Sequence, residues 1–236
     1  MNDANGPDTA AWRRGILRAG EPHPTTVVKF GGSLLARADW QQLLRSLAAT
    51  CRSGKITIVV GGGATVDSIR RIDAAAGFDA AVSHRLAIDA MGITARLASD
   101  STGWPLAANL PASASPCVVD VPAWLDAAGR FTRLPAGWHV TSDSIAAFIA
   151  AETGSDLLLA KTVPPPTDAA AGWVDGWFSN ATIDVGRIEW AAPVSPTTSP
   201  RPAGRRAPRA SASRLPGSPK TSRRSPTAGS ARRRRR

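Results

Sequence analysis

The most constraining feature of this chain is a pattern that occurs twice: a buried strand runs into a glycine cluster and then into a helix. Thr25–Phe30 (TTVVKF) is β-branched and almost continuously apolar, and it ends at Gly31-Gly32-Ser33. Ile56–Val60 (ITIVV) runs straight into Gly61-Gly62-Gly63. Strands without polar alternation suit a parallel sheet covered on both faces. Parallel neighbours need crossover connections, and helices after each loop supply them. Trp40, Leu43, Leu44, Leu47 and Ala48 form one apolar stripe of the first helix, with Asp39 as its cap and Gly54 as its stop. A second helix is expected over Thr65–Ala76.

Further along, residues 84–98 (HRLAIDAMGITARLA) carry helical periodicity. Cys117–Val121 reads as a short strand, and Trp138–Val140 leads into Thr141-Ser142-Asp143-Ser144, which caps another helix. Asp156–Ala160 is a strand that ends at Lys161, and Arg187–Trp190 is the last one. The expected division is a flexible leader over 1–24, with a short helix near Trp12–Leu17, then a domain over 25–190 and a basic tail over 191–236.

Charge sharpens that division. The formal net charge is +11, but 13 of the 29 Lys and Arg residues lie between Ala191 and Arg236, where there is no Asp or Glu. Residues 1–190 therefore carry 16 basic and 18 acidic groups, a net of −2. A tail of Arg, Pro, Ser and Ala cannot bury apolar surface and is expected to be disordered. It would hold nucleic acid only non-specifically. Its abrupt onset resembles readthrough in a shifted frame. Two cysteines, Cys51 and Cys117, make a disulfide framework improbable and a reducing cytoplasm the expected compartment. No apolar run approaches 18 residues, so no membrane partner is expected. The three histidines and two cysteines lack metal-ligand spacing, so no protein-held metal is expected.

Glycine loops beside helix N-termini expose N–H groups that suit phosphate, and they also occur as plain tight turns. Neither cluster continues as a P-loop or a dinucleotide fingerprint. Lys29 and Lys161 are two of only three lysines before residue 191, and both stand at carboxyl ends of strands, where ligands bind in open α/β sheets. Asp143 is either a first-turn carboxylate favouring the helix dipole or an acid that positions those lysines.

Lys29-Phe30-Gly31-Gly32-Ser33, Val60-Gly61-Gly62-Gly63, Thr141-Ser142-Asp143-Ser144 and Leu159-Ala160-Lys161 together resemble, in order, the motifs of the amino acid kinase superfamily. HRLAIDAMG and WHVTSDSIAAFIA look most like its small uridylate-kinase-like members of methanopterin-type cofactor pathways, such as (aminomethyl)furanmethyl phosphate kinase. The resemblance implies an α/β fold, a three-layer αβα sandwich around a mainly parallel sheet. It implies transfer of the γ-phosphoryl group of ATP, with Mg2+, to a small acceptor, and a homo-oligomer. Lys29, Asp143 and Lys161 would be catalytic. Gly31, Gly32, Ser33 and Thr162 would hold nucleotide phosphates, and Gly61, Gly62, Gly63, His84 and Ser142 would face the acceptor. His84 lines that pocket or simply caps its own helix. The alternative is a non-catalytic nucleotide- or oxoanion-binding member of the same fold. After Lys161 the chain departs from the pattern: it is short for a nucleotide-binding half, and Pro164–Pro166 break any helix there.

Overall fold

A computed structural model describes residues 12–51, 55–110, 116–167 and 172–194. Within them, seven strands form one sheet: β1 (Trp12–Arg18), β2 (Thr25–Phe30), β3 (Lys55–Val60), β4 (Leu106–Ala107), β5 (Cys117–Val119), β6 (Asp156–Ala160) and β7 (Ile188–Pro193). Their spatial order is β1-β7-β6-β2-β3-β5-β4. All pairs are parallel except β1 with β7. The helices are α1 (Trp40–Thr50), α2 (Gly63–Ala76), α3 (Ala80–Thr102), α4 (Val121–Asp126), α5 (Ser142–Thr153) and α6 (Phe178–Ala181).

The continuous apolar strands are buried on both faces, as their composition demands. Val27 of β2 joins a core with Val59, Leu157, Leu159 and residues of α3, α4, α5 and α6. Its neighbours Val28 and Phe30 point the other way, into a core with Ile58, Val60, Leu158 and the α1 stripe Leu43, Leu44 and Leu47. Each such fully buried side chain contributes about 1.5–3 kcal/mol of transfer free energy. The fold is thus an α/β sandwich with a mainly parallel central sheet.

Several expectations shift. The second part of the leader is not helical: Trp12–Arg18 is β1, paired antiparallel with β7 from Trp12↔Pro193 to Arg18↔Ile188. Trp12 Nε1 donates to Ser46 Oγ at 2.9 Å, tying that strand to α1. β7 runs past Trp190, and Ala191 and Ala192 are fully buried between β1 and β6, so the sheet extends beyond the expected boundary. β5 ends two residues early because Asp120 caps α4. Asp39 gives its carboxylate to Arg37 rather than to the α1 backbone. Gly54 and the basic segment from residue 195 on lie outside the described residues.

Candidate active site

Three backbones are stitched together just beyond the sheet. Gly31 N donates to Ala160 O, Gly61 N to Phe30 O and Lys161 N to Ala191 O, each at 2.9 Å. The carboxyl ends of β2, β3 and β6 therefore stay in register while the chain turns out of the sheet. The two glycine loops then meet. A Cβ on Gly32 would overlap the Gly63 nitrogen, and one on Gly63, whose φ is +52°, would overlap the Gly32 carbonyl. Only glycine allows this contact, and it brings the start of α2 beside the end of β2.

Lys29 alternates with Phe30 on β2, so its side chain points to the α5 face of the sheet. There it meets Asp143, in the first turn of α5, at 2.8 Å. Lys161, directly after β6, meets the other carboxylate oxygen at 2.6 Å. Lys29 and Asp143 are 5% and 4% exposed, so both charges have left water. The Lys29 contact is an ion pair and not a well-directed hydrogen bond. Lys161 Nζ also donates to the Trp173 carbonyl and lies 4.6 Å from the Trp173 ring centroid.

Burial alone would push the Asp143 carboxyl up. The ammonium groups of Lys29 and Lys161 together outweigh it and hold that carboxyl below the ordinary carboxylate range. Lys161 is held below an ordinary lysine by burial and by the charge of Lys29, against the pull of Asp143.

Asp175 gave no signal in the sequence, yet it organises α5. It accepts hydrogen bonds from Thr141 N (2.8 Å), Thr141 Oγ1 (2.7 Å), Ser144 N (3.0 Å) and the Ser144 hydroxyl. A carboxylate at that helix start satisfies orphan donors and favours the dipole.

A cavity of about 600 Å³ opens between the glycine loops, α2, α3 and the start of α5. Lys29, Gly32, Ser33, Gly63, His84 and Ser142 line it, and Gly62 does as well. The expected site residues are thus largely brought together. The N–H groups of Gly31 and Gly61 are the exception: both are engaged in the sheet and face no ligand. Thr162 is exposed beyond Lys161 and does not line the cavity. Arg70 and Trp138 line it as well, and the sequence pattern did not single them out. Among the described residues no group of three or more His, Cys, Asp and Glu is disposed to hold a metal ion, and no helix is long and apolar enough to cross a membrane.

The family model described as "Amino acid kinase family" matches residues 24–121, a stretch that contains Lys29, both glycine loops and α1 to α3. Asp143 and Lys161 lie beyond the matched stretch. Among solved structures, uridylate kinase from Archaeoglobus fulgidus is 18% identical, covering 62% of this chain and 69% of its own, with a TM-score of 0.43. UMP kinase from Ureaplasma parvum is also 18% identical, covering 61% and 72%, with a TM-score of 0.43. A search of the curated proteins finds no match.

Proposed function

We propose that the protein is a phosphotransferase that moves the γ-phosphoryl group of ATP to a small acceptor. One observation carries this reading: a buried lysine, Lys29, and a partly buried one, Lys161, share one carboxylate at the carboxyl ends of adjacent parallel strands, beside two glycine loops in contact. Two ammonium groups against one carboxylate leave a positive excess that a phosphate offsets. The match of residues 24–121 to the amino acid kinase family supports the same class.

In this reading Lys29 contacts the transferring phosphoryl group and Lys161 balances charge on the nucleotide. Asp143 holds both ammonium groups in place. Gly32 and Ser33 face the phosphates, and Gly62, Gly63, Ser142 and His84 face the acceptor. Phosphoryl transfer needs in-line positioning and charge neutralisation, so no covalent intermediate is invoked. Mg2+ would supply charge neutralisation on the transferring phosphate; among the described residues the carboxylates nearest the lysines, Asp143 and Asp175, are engaged with Lys29, Lys161 and the start of α5, so it would come bound to the nucleotide. The finer assignment, to kinases of phosphate-bearing cofactor precursors such as furanmethyl phosphates, rests on HRLAIDAMG and WHVTSDSIAAFIA. The protein is taken to act in the cytoplasm as a homo-oligomer. The exposed apolar row Val82, Leu86, Ile93 and Leu97 of α3 supports the assembly.

The test is acceptor-dependent ADP release with Mg-ATP over a panel of phosphate, carboxylate, hydroxyl and amine acceptors. Lys29→Met and Lys161→Met are expected to lose roughly 100-fold or more while staying folded. Full activity in both variants overturns the assignment. ATP binding by calorimetry with no turnover on any acceptor favours the non-catalytic alternative.

A further inference from the structure

The first turn of α5 is held from outside its own helix. Asp143 is the second residue of α5 and reaches Lys29 on β2 and Lys161 beyond β6 at the same time. The two ammonium groups repel each other, and a helix has its fewest intrahelical partners in its first turn. The local cap is weak: Asp143 N lies 3.5 Å from the Thr141 hydroxyl, at the limit of a hydrogen bond. That hydroxyl donates instead to Asp175 at 2.7 Å. Asp175 also accepts from Thr141 N, Ser144 N and the Ser144 hydroxyl, so the residues that bracket Asp143 are all tied to it.

Asp175 is itself pinned. Its Oδ1 accepts from Trp177 N at 3.2 Å, and Trp177 N also donates to the His139 carbonyl at 3.2 Å. Just beyond, Phe178 and Ala181 of α6 enter the same core as Ile145 of α5. Two residues before Asp175, the Trp173 carbonyl accepts from Lys161 Nζ. The Trp173 ring is buried, and its Nε1 donates to the Val163 carbonyl at 3.1 Å. One short segment, Trp173 to Asp175, therefore holds both members of the pair: Lys161 through a carbonyl and Asp143 through the backbone of α5. Burial above all, then the charge of Lys29, holds Lys161 below an ordinary lysine, while Asp143 and Asp175 pull it up, so Asp175 is near enough to be felt.

We propose that Asp175 is a positioning residue for phosphoryl transfer: through Thr141 and Ser144 it fixes the first turn of α5, so that Asp143 reaches Lys29 and Lys161 together. Asp175 touches no reacting group in this role and acts only through Asp143. Its effect on turnover rests on the phosphotransferase reading, whereas the coupling to Asp143 and Lys161 is testable without nucleotide.

The full chain has four lysines, so protein labelled with 13C at the lysine ε-carbons gives four NMR signals, and Lys161→Arg identifies one of them. The titration of that signal is followed without nucleotide from about pH 7 upward. Thr141→Val/Ser144→Ala leaves every charge of the site in place and removes two of the four bonds to Asp175. Its Lys161 midpoint is expected to fall by about one pH unit as Asp143 withdraws. Thr141→Ser keeps the hydroxyl and should keep the midpoint. An unchanged midpoint in the double variant overturns the inference, because lost stability alone does not move a titration of the folded protein. So does a shift in Thr141→Ser as large as that in Thr141→Val. Where the double variant does not fold, the two single variants are read by the same criterion. With Mg-ATP and an acceptor, kcat should fall roughly tenfold to a hundredfold in the double variant and in Asp175→Asn, with the acceptor KM unchanged. A kcat that stays the same also overturns the inference. A midpoint that moves in a protein releasing no ADP on any acceptor upholds the coupling and overturns the transferase reading alone. ADP release with an unmoved midpoint overturns the role of Asp175 alone.

Discussion

Asp143 carries more electrostatic responsibility than any other side chain described, because two ammonium groups, the buried one of Lys29 and the partly buried one of Lys161, depend on it. Removing one partner of a buried ion pair strands the other charge and costs about 3–5 kcal/mol. Asp143→Asn is therefore expected to destabilise the protein by about that amount, measured by urea unfolding. Adding Lys29→Met to that variant should recover part of the loss, since the stranded charge is then gone. The pH dependence follows from the direction of the shift. The folded-state value for Asp143 lies below that of the unfolded chain, about 3.9. Its contribution is complete above the unfolded value and is lost as the pH falls through the folded one. Urea midpoints measured from pH 6 downward should drop steeply at the acid end (roughly below pH 4), and Asp143→Asn should flatten that part of the curve. An unchanged acid limb in the variant would show that other carboxylates control it.

At the level of elements, the site depends on how closely two loops approach and not on how freely they bend. Gly32 needs space, since a Cβ there would overlap the Gly63 backbone, which has no flexible end to give way. Gly32→Ala is expected to cost about 1–3 kcal/mol and to abolish ADP release, because the start of α2 must move away from β2. Gly77 is the contrast: its φ is +65° at the end of α2, with open space around it. Gly77→Ala should cost about 1 kcal/mol for the left-handed backbone and leave turnover intact, as melting curves and an ADP assay on both variants would show. The loops at β2 and β3 could be read in the sequence because strand, glycine and helix signals are local and dense there. The same holds for Lys29, Asp143 and Lys161, each at a strand end or helix start. β1 could not be read this way: WRRGILR has three arginines, and it is a strand only because β7 lies beside it. Asp175 was equally invisible, a single carboxylate after a proline run whose role arises when the chain folds back onto α5. Arg70 and Trp138 meet only through the packing of α2 against the segment before α5.

For the whole molecule, charge separates the part of the chain that builds the sheet from the segment after it. The chain divides into a unit over Met1–Pro196 and a second over Thr197–Arg236. All 13 of the late basic residues fall in the second, so the first keeps a net of −2. A phosphate site and an affinity for nucleic acid, the two things a net charge of +11 invites one to test for, would therefore draw on different parts of the chain. The site's positive excess is two lysines held by one buried carboxylate, insulated from salt by burial. The late arginines have no acidic residue among them to offset their charge, so their attraction for a polyanion is a matter of counterion release and falls steeply as salt rises. Comparing the full chain with residues 1–196 should therefore separate the two. Affinity for a mixed-sequence DNA duplex should fall at least about tenfold between roughly 50 and 200 mM salt in the full chain, on the order expected for several phosphate contacts. It should be absent without residues 197–236, while acceptor-dependent ADP release stays the same in both. DNA binding that persists in residues 1–196 would place a polyanion site on the sandwich itself. Loss of ADP release there would make the basic segment part of the enzyme.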